Sequence, residues 1–120
     1  MSKQREYKTF SRSMHLYQVK RALEGMTSPG WRLPDADELS EILENEEVDL
    51  PNIPQSLMGH VVNMPLRWYW SSTIASESPH EYIRERMRPH DDARVVVKYD
   101  GEQDTQALDI YGTILVRDKD

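Results

Sequence analysis

Helix patterns come early in this chain and strand patterns come late, and that order limits the fold more than any other feature. Between residues 14 and 45 apolar side chains recur at helical spacing. After residue 66 they alternate, or cluster as short β-branched and aromatic runs. Helices followed by strands favour an α+β domain over the parallel sheet that alternating units build. The expected architecture is therefore a compact α+β domain, with two N-terminal helices packed on a mainly antiparallel sheet.

The elements follow from local chemistry. Residues 5–10 read as a short strand and residues 1–4 as a frayed end. Ser13 is placed to cap a helix over residues 14–25, whose Leu16, Val19, Leu23 and Met26 share a stripe beside Ala22; Gly25 and Ser28-Pro29-Gly30 end it. Asp35 is placed as the cap of a second helix, with Glu38 three residues on as in a capping box. Leu39, Ile42 and Leu43 form its apolar stripe, and its late acids favour fraying near Asn45. Pro51, Pro54 and Pro65 mark residues 48–66 as a loop, with one helical turn near Gln55–Gly59.

Residues 67–73 read as an aromatic strand. Ser78 and Pro79 open a short helix over 79–88. Residues 93–99, with Val95, Val96 and Val97, are the clearest strand, followed by an Asp100-Gly101 turn. Residues 106–111 and 113–117 read as strand segments bent at Gly112. The sheet is expected from 67–73, 93–99 and 106–117. The expected core is Trp31, Leu33, Leu39, Ile42, Trp70, Val96, Ile114 and Val116, buried together.

A chain of 120 residues suits one domain spanning 1–120. The absence of cysteine removes disulfides, thiolate zinc sites and cysteine nucleophiles. No stretch is long and apolar enough to span a bilayer, and no signal-type segment opens the chain, so the expected compartment is the cytoplasm, or a virion if the chain is phage-encoded. The net charge of -6 argues against direct nucleic-acid binding. That charge is unevenly placed. Residues 1–32 hold seven basic and two acidic side chains, a net of +5, whereas residues 33–66 hold eight acids and no Lys or Arg. The simpler reading is that the basic first helix lies near the acidic second helix. The sharper one is a negative surface offered to a basic partner.

Two segments stand out: Gly30-Trp31-Arg32-Leu33-Pro34-Asp35-Ala36-Asp37-Glu38-Leu39 and Tyr69-Trp70-Ser71-Ser72-Thr73. In this order they resemble the bacterial and phage domain family DUF1566, the Legionella collagen-like protein C-terminal domain. The family closes on a strand ending in Val-Arg, as Ile114-Leu115-Val116-Arg117 does, so the resemblance covers residues 30–117. It departs from the family pattern at Asp35, where Thr is usual, in the segment Ser78–Pro89, and in lacking a cysteine in the last strand. The resemblance implies a C-type-lectin-like fold, related to formylglycine-generating enzymes, in which Trp31, Arg32, Leu33, Pro34, Tyr69, Trp70, Ser71, Ser72 and Thr73 are structural. The residues themselves agree. Trp31 and Leu33 share one face of an extended stretch, Trp68 and Trp70 share one face of a strand, and Arg32 suits an acid or a carbonyl. Ser71, Ser72 and Thr73 can satisfy backbone groups where the strand leaves the sheet.

Catalytic signatures are absent. His15, His60, His80 and His90 form no zinc spacing, and no nucleophile elbow, glycine-rich dinucleotide turn or phosphate loop occurs. His90-Asp91-Asp92 reads as an exposed turn. Asp100, Glu102 and Asp104 resemble a calcium loop only loosely and read as a solvated turn. Arg84, Arg86 and Arg88 are offset by Glu81 and Glu85. No metal and no cofactor are expected.

The function expected from these features is a non-enzymatic protein-binding module, phage- or prophage-encoded, with a protein partner that is basic. A homo-oligomer is compatible with the same features, and no membrane contact is expected. The contact site is placed on Ile53, Leu57, Met58 and Met64, within the apolar run that also holds Val61, Val62 and Leu66, with Glu44, Glu46, Glu47 and Asp49 at its rim. Burial of that run against the body is the simpler expectation. The alternative function is a small acidic inhibitor that mimics nucleic acid, of the anti-restriction or anti-CRISPR type.

Overall fold

The computed structural model describes residues 4–86, 94–105 and 110–119. The elements are β1 (Gln4–Thr9), β2 (Met14–His15), α1 (Leu16–Glu24), α2 (Ala36–Glu44), β3 (Ile53–Leu57) and β4 (His60–Met64). They continue with β5 (Trp68–Ile74), a 3-10 turn (Ala75–Glu77), α3 (Glu81–Arg86), β6 (Arg94–Lys98), β7 (Gln103–Thr105), β8 (Ile110–Tyr111) and β9 (Ile114–Lys119). Helices and antiparallel ladders in one body make an α+β fold. No helix among the described residues is long and apolar enough to cross a membrane.

The sheet differs from the expected one. β5, β6 and β7 form a three-stranded antiparallel sheet, while β9 pairs with β1 and β8 with β2. Residues 110–117 therefore close on the N-terminal segment instead of extending β6. The third strand is Gln103–Thr105, because the turn at Gly101, with φ 95°, folds the chain straight back onto β6. The two halves join through backbone bonds: Trp70 N–H donates to the Gly112 carbonyl (3.0 Å), and Gly112 N–H to the Trp68 carbonyl (2.9 Å). Residues 106–109, the start of one expected strand, lie outside the described residues, as do the end of helix 79–88 and His90-Asp91-Asp92.

The expected single core is two cores. Alternate residues of β5, β6 and β9 point to opposite faces, and both faces are covered. Tyr69, Val95, Val97, Ile114 and Val116 pack with Ala36, Leu39, Ile42 and Leu43 of α2 and with Ile83 of α3. Trp70, Val96, Leu115 and Tyr111 pack on the other side with Met14, Val19 and Leu33, joined by Leu16, Trp31 and Trp68. The two early helices thus sit on opposite faces of the strand layer. Trp31 is only half-buried, with the Arg117 guanidinium 4.9 Å above its ring.

Helix starts follow tertiary demand. Ser13 is not the cap of α1. Met14 is buried and pairs with β8, so the helix opens at Leu16, with the His15 N–H held by Gln18 Oε1 at 2.8 Å. In α2 the Asp35 carboxylate accepts from Glu38 N–H (2.8 Å), as its sequence suggests, while Thr73 Oγ1 accepts from Ala36 N–H (2.9 Å). Ser72 N–H donates to the Pro34 carbonyl (2.9 Å), and Ser71 Oγ to the Val95 carbonyl (2.6 Å). The segments 31–36 and 69–73 are thereby locked together at an irregularity in β5, which is the structural role their polar residues suggested.

Candidate functional site

The expected loop 48–66 is in fact a β-hairpin projecting from the body. Ile53 to Leu57 pairs antiparallel with His60 to Met64, and the turn is two residues long. Met58 and Gly59 have φ of 49° and 83°, the left-handed pair that a type I′ turn demands. Pro54 argued for a loop, but it stands opposite Asn63 at a position that gives no bond to the partner strand.

The apolar side chains of this hairpin are not buried against the body. Met58 is 99% exposed and Val61 74%, while Leu57, Val62 and Met64 are also exposed; only Ile53 is partly covered. The sequence carried a signal for this: no Asp, Glu, Lys or Arg occurs from Leu50 to Leu66, in a chain that is 30% charged.

Two hollows flank the hairpin base. One, of about 430 Å³, is lined by Gln55, Leu57, Met64, Pro65, Arg67 and Tyr99. The other, of similar size, is lined by Leu43, Glu46, Val48, Asp49, Leu50, Pro65 and Tyr99. Pro65 and the half-exposed Tyr99 separate them. The structure thus brings Leu57, Met64, Glu46 and Asp49 around one feature. Tyr99 and Arg67 join that group and were not anticipated, since a tyrosine beside a turn and an isolated arginine carry no pattern.

Glu44 and Glu47 lie apart. Glu44 packs over Gly101, where an added Cβ would collide with the Glu44 side chain. Glu47 accepts from the Tyr7 hydroxyl (2.7 Å) and from Arg5 (3.3 Å). Burial, and then that bond to Glu47, push the Tyr7 hydroxyl up to about 12. Arg5 also faces Glu38 (3.6 Å) and Glu41 (3.9 Å), and Arg32 clasps Glu38 at 2.5 and 3.0 Å. The acids of α2 are therefore balanced by β1 and by Arg32, not by α1 as the simpler charge reading held.

Glu46 is in the left-handed region at φ 51°. It occupies the position after the α2 cap where glycine is usual: Glu47 N–H bonds the Ile42 carbonyl (3.0 Å) and Glu46 N–H the Leu43 carbonyl (3.3 Å). Glu46→Gly should therefore raise the unfolding free energy by about 1 kcal/mol, measured by urea denaturation; an equal or lower value would show that the conformation carries no strain.

A second cluster surrounds Asp37. His80 Nε2 lies 2.6 Å from Asp37 Oδ1, and Gln103 Nε2 donates to Asp37 Oδ1 (2.8 Å) and to Ser40 Oγ (3.0 Å). The Gln103 bond and then the His80 bond hold the Asp37 carboxyl below its ordinary value. Ser40 in turn donates to the Gly101 carbonyl (2.8 Å), so its hydroxyl is engaged on both sides. With Glu44, Tyr82, Asp100 and Glu102 these residues line an open acidic hollow of about 500 Å³. Asp104 is turned away from it to Arg86 (2.9 Å). Among the described residues no group of three or more His, Cys, Asp or Glu side chains is arranged to hold a metal ion.

No family model, curated protein or solved structure matches this chain.

Proposed function

We propose that this chain is a non-enzymatic protein-interaction module whose docking element is the β3–β4 hairpin. The observation that carries the reading is Met58: a large apolar side chain, 99% exposed, at a turn position with φ 49°. Neither the turn nor the fold asks for methionine there. Asparagine suits that backbone better, and an exposed apolar cluster marks a contact surface. Leu57 and Val61 flank it, and Glu46 and Asp49 lie by the hairpin base, where they would speed capture of a partner bearing Lys or Arg.

The test sets stability against binding. Met58→Asn should leave the melting temperature unchanged or higher, yet weaken capture of a specific protein from lysate by about tenfold or more, the scale of a lost interface anchor. A captured protein that binds wild type and Met58→Asn equally would sink the reading.

The acidic hollow of Asp37, Glu44, Asp100 and Glu102 favours a second reading, an inhibitor that presents carboxylates where phosphates would sit. Salt separates the two. A mimic loses its target steeply between low and physiological salt, whereas an apolar hairpin contact does not.

We further propose membership of the DUF1566 family, with its C-type-lectin-like fold, as the origin of the scaffold. Support comes from the meeting of the three segments that carry the resemblance. Pro34 and Ala36 bond Ser72 and Thr73, and Arg32 exchanges backbone bonds with Val116 (3.0 and 2.9 Å).

A further inference from the structure

We infer that the outer edge of β4 pairs with the same edge of a second copy of this chain, joining two hairpins into a four-stranded antiparallel sheet about a two-fold axis at Val62. The inference rests on the reading of the hairpin as a docking element and names its first occupant.

An isolated two-stranded ribbon is marginal in water; a third strand is what usually secures it. β3 and β4 pair only with each other among the described strands, and most of their side chains are exposed. The two outer edges are not alike. Across a two-residue turn the closing pair, Leu57 and His60, exchanges both ladder bonds, and alternation makes Gln55–Val62 and Ile53–Met64 inward pairs too. Pro54 and Ser56 on β3, and Val61 and Asn63 on β4, therefore turn their backbone groups outward. Pro54 has no N–H to offer, a common protection of an edge. β4 has neither proline nor charge.

Charge selects the occupant. In a two-fold contact the residue on the axis meets its own copy and its neighbours meet one another's copies within the same patch, so a patch of one charge repels itself and an uncharged one does not. The segment Leu50 to Leu66 is the uncharged one in an acidic chain. A strand rich in Lys or Arg would call for carboxylates along β4, and β4 carries none. The register also closes. With the axis at Val62, Val61 stands opposite Asn63 of the second copy, and Asn63 opposite its Val61, each pair exchanging two bonds. Val62 meets Val62 as a close non-hydrogen-bonded pair, and Val62 and Met64 share the face that carries Leu57. Met58, in the turn, is not among the paired residues.

Sedimentation equilibrium over micromolar concentrations should give twice the 14.1 kDa chain mass. Because the chain has no cysteine, single substitutions report the register. Val62→Cys should form an intermolecular disulfide on oxidation. Val61→Cys should not, since its two copies lie about 8 Å apart across the axis, beyond the reach of a bridge. Asn63→Pro, directly opposite Pro54, removes an outward donor without touching the β3–β4 ladder. It should raise the dimer dissociation constant about tenfold or more while the circular dichroism spectrum stays that of wild type. A monomer at every concentration, equal linkage by both cysteines, or an Asn63→Pro chain that is folded and dimerises like wild type would each overturn the inference. A monomer that still captures a protein through Met58 overturns the pairing and leaves the docking reading standing. A cross-linked dimer without Met58-dependent capture supports the pairing and removes the wider reading.

Discussion

Trp70→Ala is expected to lower the unfolding free energy by about 3–5 kcal/mol, the range for emptying a buried aromatic site. The indole is 7% exposed and packs in the core beside α1, edge-on to Tyr111 with ring centroids 4.8 Å apart. Its N–H also donates to the Met14 carbonyl at 2.7 Å, the bond that ties β2 to the central strand. Alanine leaves a cavity and a buried carbonyl without that donor. Trp70→Phe weights the two losses differently, because it keeps a ring in the core and removes the bond with only part of the volume; its cost, about 1–2 kcal/mol for the bond plus a smaller cavity term, should stay below that of alanine. Urea denaturation measures both. A cost below about 1 kcal/mol for Trp70→Ala is the scale of a surface site and would mean that the indole does not hold this core together.

Gly112→Ala is the second large effect, expected at about 2–3 kcal/mol of destabilisation from overpacking. A Cβ at Gly112 would stand 2.6 Å from Tyr69 Cε1, 2.7 Å from Tyr69 Cδ1 and 3.2 Å from Leu66 Cδ1. Tyr69 is 2% exposed, so its ring has nowhere to go, and the Gly112 backbone is bonded on both sides to β5. The cost comes from crowding, not from a forbidden φ. Shrinking the neighbour tests this: in a double-mutant cycle with Tyr69→Leu, the Gly112→Ala penalty should fall by more than 0.5 kcal/mol, roughly the level at which independent sites simply add. Additive costs would point to a backbone cause instead.

What the sequence revealed and what it hid divide along the range of the interaction. The α2 start was legible because Asp35 caps its own turn, although the Glu38 carboxylate, expected to complete a capping box, goes to Arg32 and Arg5; β5 and β6 were legible because their aromatic and valine runs suit a pleat whatever packs on them. The hairpin was hidden. Its prolines spoke for a loop, and Met58-Gly59 lacks the asparagine that advertises a tight turn. Only the pairing register reveals that Pro54 faces outward and costs the ladder nothing. β7 was hidden for a different reason: Gln103 is polar, yet it is 6% exposed, because its amide reaches Asp37 and Ser40 more than sixty residues away. The division into two cores followed from alternation in β5, but that both faces are covered depends on where α1 and α2 dock. At the candidate site, the structure brings Leu57 and Met64 of the apolar run and two of the four rim acids, Glu46 and Asp49, around the hairpin base. Glu47 looked like the others until Tyr7, forty residues earlier, claimed it.

The pairing of β1 with β9 sets Gln4 beside Lys119, so the chain enters and leaves the body at one point. Sequence joined at either side would emerge from the same spot, and the whole unit would fit into a surface loop of another protein without stretching it. Force applied through those ends would meet the ladder end-on and open its bonds one after another, Gln4–Lys119 first and Thr9–Ile114 last. Folding runs the other way. β1 must find a partner more than a hundred residues further along the chain, a contact of very high sequence separation that slows the search. Until β9 is in place, α2 lacks Ile114 and Val116, and the other core lacks Leu115. The seam between the two ends is therefore both the last part of the molecule to be completed and the first to yield under tension.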